Sequence, residues 1–111
     1  MLVLPIKKKW FDMIKSGEKK EEYREIKPYW TSRFNHEFDK MLNSIVPHNV
    51  ERDLRKYPLW LSVFLRNGYA KYSPTIECRC KLRIGQGNPE WGAEPNKEYY
   101  ILDILEVTND K

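Results

Sequence analysis

The chain has 111 residues, of which 41% are hydrophobic and 14% aromatic, and its net charge is +4. This length suits one compact domain, and the apolar fraction excludes an intrinsically disordered chain. The mild positive charge is compatible with phosphate contacts without requiring them, and no run approaches the ~18 apolar residues of a membrane helix. We therefore expect a single domain over residues 1–111, with no secretion signal and a cytoplasmic location.

The chain opens with a predicted strand over residues 2–6. Pro5 indicates either a sheet edge or a strand end, because proline cannot donate a ladder hydrogen bond. Apolar residues then recur at three- and four-residue spacing, which predicts an amphipathic helix over residues 8–16. The apolar face of this helix consists of Trp10, Met13 and Ile14. Gly17 follows at once and fits the left-handed position that ends many helices.

The stretch after Gly17 predicts a strand, to about residue 26, that is crowded with charge. Its side chains alternate between two faces. One face carries Lys20, Glu22 and Arg24, and the other carries Glu21, Tyr23 and Glu25. Because a buried charge is unfavourable unless it is paired, the strand is expected to form a polar cleft instead of plain core.

Residues 28–58 are interpreted as a helical insertion that is too short to have its own core. Thr31 or Ser32 is a candidate N-cap for a second helix. A wide aromatic stripe at helical spacing predicts that this helix packs on something. The stripe consists of Trp30, Phe34, Phe38, Met41, Leu42 and Ile45. The polar stretch 47–58 is expected to be a loop with a helical turn.

The second half of the chain predicts three more strands. Residues 59–65 are almost continuously apolar, which favours a buried strand. Residues 75–84 alternate, with Ile76, Cys78, Cys80, Leu82 and Ile84 on the core face. The loop 85–97 contains three glycines, two prolines and Trp91. In the closing strand 99–107, Tyr99, Ile101, Leu105 and Val107 share one face, and the opposite face is also apolar, which indicates burial on both sides.

The order of elements predicts an α+β fold. Short strands that follow one another after a break favour an antiparallel or mixed sheet. Five or six such strands with flanking helices can curl into a small mixed β-barrel, which removes exposed edges.

The residues Gly17-Glu18-Lys19-Lys20-Glu21-Glu22-Tyr23-Arg24 resemble the G-x-K-x-x-E-x-R pattern of ASCH domains, a branch of the PUA-like superfamily. The apolar first strand, the strand that ends at Ile84-Gly85 and the closing strand 99–107 are similar to the same family. The resemblance covers the chain outside 28–58. It implies a PUA-like mixed β-barrel with a cleft near the motif, and a module that binds RNA or nucleotides there.

The resemblance also implies an enzymatic alternative. One bacterial branch of the family hydrolyses the acetyl amide of N4-acetylcytidine with a lysine, a threonine and a glutamate, and some relatives show ribonuclease activity. Lys19 matches the lysine of that branch, whereas Glu22 stands where the threonine would be. A carboxylate cannot act as the same hydroxyl nucleophile, although a Lys-Glu pair could still activate water.

Lys19, Glu22 and Arg24 are therefore the main candidate ligand-binding residues, with Lys19 and Glu22 catalytic if the protein is an enzyme. A desolvated ammonium can serve as a base, a carboxylate can accept from a nucleobase amino group, and a guanidinium can hold phosphate in two hydrogen bonds. The alternative is a solvated strand whose cross-strand ion pairs contribute ~0.5 kcal/mol each.

Trp91 is the second candidate ligand-binding residue. An aromatic ring in a glycine-rich loop can stack a base, and the alternative is a tryptophan that plugs one end of the barrel. A further set of basic residues forms either a phosphate-binding patch or a solvated face. The set consists of Lys7, Lys8, Lys9, Arg79, Lys81 and Arg83.

Cys78 and Cys80 are interpreted as small buried hydrophobes, and His36 and His48 lack partners at ligand spacing. We expect neither a metal nor a cofactor, a partner that is RNA, a nucleoside or a nucleotide, no membrane, and a monomer with a dimer as the alternative. A third hypothesis is a protein-interaction module that uses the aromatic helix and exposes Phe34 or Phe38 in the monomer.

Overall fold

A computed structural model describes residues 2–45, 54–55 and 58–108, and only the backbone of residues 41–45. The elements of the described part are, in chain order, strand β1 (Val3–Ile6), helix α1 (Lys8–Ser16), strand β2 (Glu21–Glu25), helix α2 (Pro28–Ile45) and strands β3 (Leu59–Asn67), β4 (Thr75–Gln86) and β5 (Glu98–Thr108). A 3-10 turn at Pro89–Trp91 lies between β4 and β5.

The strands form one mixed sheet in the order β1-β3-β4-β5-β2. β1 runs parallel to β3, and the other neighbours are antiparallel. The prediction of an α+β fold with a mixed, barrel-like sheet is confirmed at this level. Within the described residues the sheet stays open, with β1 and β2 as its two edges, so of the two alternatives that Pro5 offered the edge is confirmed.

The main core lies on the inner face of the sheet, under both helices. β4 supplies four of its residues in strict alternation, as the sequence predicted: Ile76, Cys78, Cys80 and Leu82 are at most 1% exposed. From β3 the core takes Leu59, Val63 and Leu65. Trp60 lies on the opposite face and is 59% exposed, so the prediction of a strand buried throughout is wrong on one side.

β5 is buried on both faces over its first half, as predicted. Tyr100 and Leu102 join the main core, while Tyr99 and Ile101 form a second cluster with Ala93. A bulge then changes the alternation, because Arg79 lies opposite Glu106 and the next residue, Cys80, opposite Ile104. Leu105 is the extra residue and is 57% exposed. Val107 packs with Ile104 against the main core. The prediction that Leu105 and Val107 share one face with Tyr99 and Ile101 is therefore wrong beyond the bulge.

Helix α2 begins at Pro28, three residues before the predicted cap. Proline suits the first turn of a helix because its missing N–H would have no partner there. The N-cap prediction for Thr31 or Ser32 is therefore wrong. The Thr31 hydroxyl lies 2.6 Å from the hydroxyl of Tyr100 and ties the helix to β5 instead.

The aromatic face of α2 packs on the sheet. Phe34 and Phe38 are 2% and 3% exposed, and the ring of Phe34 meets the edge of Tyr100 at 4.9 Å. The expectation that one of these phenylalanines is exposed is wrong, and the interaction-module hypothesis loses its surface there. The side chains of Met41, Leu42 and Ile45, most of the stretch 47–58, and His48 lie outside the described residues.

Candidate functional site

The end of helix α1 turns the chain so that Lys19 lies back along the helix. Gly17 has a φ of 87°, which an L side chain rarely adopts, and its N–H donates to the carbonyl of Ile14 at 3.1 Å. The N–H of Lys19 then donates to the carbonyl of Met13 at 2.9 Å. The left-handed glycine that the sequence predicted thus carries Lys19 beside the last turns of the helix.

Lys19 and Glu22 form a buried ion pair. The Lys19 ammonium donates to Oε1 of Glu22 at 2.6 Å, and the two side chains are 1% and 5% exposed. The other carboxylate oxygen, Oε2, accepts from the Arg24 guanidinium. The two cations therefore share one carboxylate, and each charge in this buried cluster has a partner of opposite sign.

Arg24 also joins the two edge strands of the sheet. It donates to the carbonyl of Tyr23 in its own strand at 2.8 Å, and to the carbonyl of Pro5 in β1 at 2.8 Å. Its guanidinium carbon lies 5.1 Å from the ring centre of Trp30. Nη1 already donates to Glu22 and Tyr23, and Nη2 donates to Pro5, so the predicted two-bond grip on a phosphate has only the N–H of Nε and the second N–H of Nη2 to use.

The surroundings of Lys19 act on its charge in opposite directions. Burial is the largest influence and lowers the pKa of the Lys19 ammonium; Glu22 opposes this shift, and the nearby charge of Arg24 adds to it. The ammonium also lies 4.3 Å from the ring centre of Trp10, a contact that favours the charged form. Lys19 is thus a desolvated ammonium held between an acid and an indole ring.

The loop after β4 is held against this cluster by Tyr23. The hydroxyl of Tyr23 accepts from the N–H of Asn88 at 2.8 Å and donates to Glu21 at 2.7 Å. A Cβ on Gly87 would come within 2.7 Å of the Tyr23 ring, so the close approach needs a glycine. The N–H of Trp91 then donates to the carbonyl of Asn88 at 2.9 Å, which fixes Trp91 in the 3-10 turn.

These elements enclose a pocket of about 660 Å³ over the gap between β1 and β2. All four candidate residues from the sequence line it, namely Lys19, Glu22, Arg24 and Trp91. Six more aromatic side chains complete the wall: Trp10, Tyr23, Tyr29, Trp30, Tyr69 and Tyr99. The structure thus brings together the charged motif and the loop tryptophan in one concave site of the size that ligand pockets usually have.

The candidate basic residues lie in two elements of the described chain, the β1–α1 junction and β4. The exposed Lys7 and Lys8 line the pocket, together with Glu25. Arg83 is engaged elsewhere: it holds Asp103 in two hydrogen bonds of 2.7 and 3.1 Å and reaches Glu21 at 3.0 Å. In the described part of the chain, the pocket lining therefore draws its exposed lysines from the β1–α1 junction and not from β4.

A second hollow of about 710 Å³ runs along the start of α2 and is more open. It is lined by polar residues such as Thr31, Asn35, His36 and Asp39. Among the described residues it includes no tryptophan or tyrosine, and it lacks the buried ion pair of the first pocket. The pocket at Lys19 is therefore the candidate site.

The cysteines lie away from the pocket. Cys78 and Cys80 are free thiols in the core, as predicted, and burial raises the pKa of Cys78 to about 12. Where the structure describes the chain, no group of three or more histidine, cysteine or acidic residues is arranged to hold a metal ion. No helix in those ranges is long and apolar enough to cross a membrane.

Sequence reasoning missed several pocket residues. Helical periodicity places Trp10 and Trp30 on the packing faces of their helices, and it does not distinguish a ring that packs on apolar core from a ring that packs on a charged group. Tyr23 gave no signal beyond its place in the charged strand. Tyr29 follows a proline and Tyr69 follows an Asn-Gly pair, and neither neighbour indicates a ligand.

The chain was compared with known proteins by sequence and by fold. It matches no protein-family model, no curated protein and no solved structure.

Proposed function

We propose that the pocket binds a nucleobase, as a nucleoside, a nucleotide or part of an RNA, and that the chain is a PUA-like module of the ASCH type. The observation that carries this proposal is the buried Lys19–Glu22–Arg24 cluster on the wall of a pocket that is otherwise largely aromatic. Planar rings offer stacking surfaces, and a charged cluster beside them offers directional hydrogen bonds to a heterocycle.

The distribution of charge argues against a cationic ligand. Aromatic pockets can bind alkylated ammonium groups through the faces of their rings. Here protein cations already lie over five of the seven aromatic rings that line the pocket, among them Lys19 over Trp10 at 4.3 Å and Arg24 over Trp30 at 5.1 Å. The lining also has four cationic side chains against two acidic ones, so a neutral heterocycle or an anion fits better than a second cation.

The parts of a nucleotide find complementary groups at different depths of the pocket. Trp91 is half-buried and can stack a base, which contributes about 1–3 kcal/mol. Lys7 and Lys8 are exposed in the lining, and the pair of Lys8 with Asp12 is itself exposed, so a phosphate that met them would remain close to solvent. This division assigns phosphate to the exposed lysines and leaves Arg24 to support Glu22 and β1.

Tryptophan fluorescence can test the proposal. Three of the four tryptophans line the pocket, and Trp60 lies in the outer face of β3. Titration with nucleoside monophosphates and with short single-stranded RNA should change the emission, and the RNA affinity should fall as salt rises from 50 to 200 mM. If neither ligand changes the emission or is detected by calorimetry at low salt, the proposed function is wrong.

A matched pair of variants locates the effect. We expect Trp91→Ala to weaken binding by roughly tenfold, because it removes the stacking surface. Trp60→Ala removes an equally large ring outside the pocket and should leave the affinity unchanged. Equal losses in the two variants, measured by calorimetry, would place the ligand elsewhere on the protein.

The Lys19–Glu22 pair favours a second candidate function, hydrolysis of an acylated nucleoside. In that reaction water would add to the acetyl carbonyl of N4-acetylcytidine, and the C–N bond would break to give cytidine and acetate. Both oxygens of Glu22 already accept hydrogen bonds from cations, which makes binding the better-supported function. Release of acetate that Lys19→Ala abolishes, in a variant shown to be folded by circular dichroism, would establish the enzyme instead.

A further inference from the structure

The pocket has two lips that lie on opposite sides of the gap between β1 and β2. One lip is the turn after β3, where the N–H of Gly68 donates to the carbonyl of Ile6 at 2.9 Å and fixes the turn beside β1. The next residue, Tyr69, lines the pocket and is 87% exposed. A large ring is therefore held at the pocket edge with most of its surface in water.

The other lip is the first turn of α2, which directly follows β2. Its Tyr29 lines the pocket and is 54% exposed. The ring has two neighbours that fix it: the guanidinium of Arg33 lies 4.4 Å from its centre, and Trp30 meets it edge-on at 4.8 Å. Each lip thus presents one tyrosine that belongs neither to the core nor to the base of the pocket.

A free mononucleotide would not use both of these rings. The pocket lining already offers Trp91 for stacking and Lys19 and Glu22 for hydrogen bonds, so one base has its contacts without either lip. The open sheet leaves the pocket bordered by an edge strand on each side, Pro5 and Ile6 from β1 and Glu22 to Glu25 from β2. Exposed aromatic rings beside a positively charged groove are the arrangement that holds successive bases of a single strand.

We propose that the natural ligand is a single-stranded RNA that places one base in the pocket and stacks the neighbouring bases on Tyr29 and Tyr69. This inference rests on the proposed function. Lys7 and Lys8 directly follow β1 and line the pocket, so we assign the backbone phosphates of such a strand to them, with Lys8 exchanging its exposed ion pair with Asp12 for a phosphate. A duplex is a poor ligand because its bases are already stacked on each other.

The experiment compares ligands of two lengths. Nucleoside monophosphates and a random-sequence single-stranded RNA hexamer are titrated into the intact protein at 50 mM salt, with a hexamer duplex as a third ligand. We expect the single strand to bind at least tenfold more tightly than any monophosphate and than the duplex. Equal affinity for the single strand and the monophosphates overturns the inference and leaves the proposed pocket intact, whereas binding of none of the three overturns both.

Variants of the lips make the test specific. Tyr29→Ala and Tyr69→Ala should each weaken hexamer binding by roughly tenfold and leave monophosphate binding unchanged. Tyr72→Ala is the matched control, because Tyr72 is 90% exposed in the same turn as Tyr69 but does not line the pocket. Tyr69→Phe keeps the ring and should retain the affinity. Losses no larger than that of the control, or equal losses for both ligand lengths, overturn the assignment of the tyrosines.

Discussion

Each face of strand β2 contributes to a cluster of three charged side chains, and the two clusters have opposite charge patterns. On the inner face two cations share one carboxylate, and on the outer face two carboxylates share one guanidinium. The inner cluster is Lys19, Glu22 and Arg24, and the outer cluster is Glu21, Asp103 and Arg83. The inner side chains are 1%, 5% and 12% exposed, while the outer ones are between 20% and 31% exposed.

The two clusters differ in burial, and we infer that the inner one serves binding whereas the outer one only links strands. Water reaches the outer cluster and screens it, so its ion pairs hold β2, β4 and β5 together at modest strength. The inner cluster is desolvated, so each charge depends on its partner, and the groups are preorganised to face a pocket. Similar residue types on one strand thus acquire different roles because one face meets an aromatic cavity and the other meets solvent.

The largest effect is expected from breaking the inner cluster. Glu22→Gln leaves the ammonium of Lys19 and the guanidinium of Arg24 without their shared carboxylate. Breaking a buried pair by removing one partner typically destabilises a protein by 3–5 kcal/mol, and we expect about that loss in the free energy of unfolding. Urea denaturation followed by circular dichroism measures it.

Glu18→Gln is the control for this change, because Glu18 is an exposed acid in the same motif. It should alter the free energy of unfolding by less than about 0.5 kcal/mol. A double variant with Lys19→Met should lose less than the sum of the two single losses, since the partners are in contact. Additive losses in the free energy of unfolding would show that Lys19 and Glu22 are not coupled, and would contradict the stronger pairing inferred for the inner cluster.

A smaller effect is expected from the outer cluster. Arg83→Gln removes contacts to Asp103 and Glu21, but because the groups are partly exposed we expect a loss of only about 1 kcal/mol in the free energy of unfolding. Arg79→Gln, an exposed arginine on the same face of β4, should change stability less. A loss for Arg83→Gln as large as that for Glu22→Gln would remove the distinction between the faces.

Much of the local structure could be predicted because it depends on neighbours in the sequence. The alternation of β4 predicted its core face, and Gly17 predicted the end of α1. The charged strand predicted a polar cleft, since carboxylates on both faces of one strand leave no face for plain core. Each of these features is decided within a few residues of chain.

What could not be predicted depends on contacts between distant residues. The Leu105 bulge follows from the register of β4 on β5. The start of α2 at Pro28, in contrast, has a local cause in the preference of proline for the first helical turn, which the capping interpretation of Thr31 overlooks. Trp91 lines the same pocket as Lys19 because its loop is anchored by the hydrogen bond from Asn88 to Tyr23, across 65 positions of sequence. Periodicity in the sequence does not reveal a hydrogen bond between distant residues, so the sequence predicts only part of the pocket lining.

The smallest expected effect on stability concerns Tyr23. Its hydroxyl joins Glu21 of the outer cluster to Asn88 in the loop that carries Trp91. Burial raises the pKa of the Tyr23 phenol, with the N–H of Asn88 opposing the shift and Glu21 adding to it. An acid whose pKa is raised by folding contributes stability that is present below the unfolded-state pKa and is lost as the pH rises above it. With an unfolded value of 10.0, the loss at pH 10 is about 0.4 kcal/mol, since half of the unfolded phenols are ionised there.

Tyr23→Phe should therefore be less stable than the wild type at pH 7, because Asn88 loses its acceptor, yet lose less further stability between pH 8 and pH 10. Urea denaturation at the three pH values measures the difference, and Tyr72→Phe should keep the slope of the wild type. An unchanged slope in Tyr23→Phe would mean that the phenol is not buried behind the pocket. The loop that carries Trp91 would then lack its anchor on β2, and the tryptophan would be free to leave the charged cluster that it is proposed to complete.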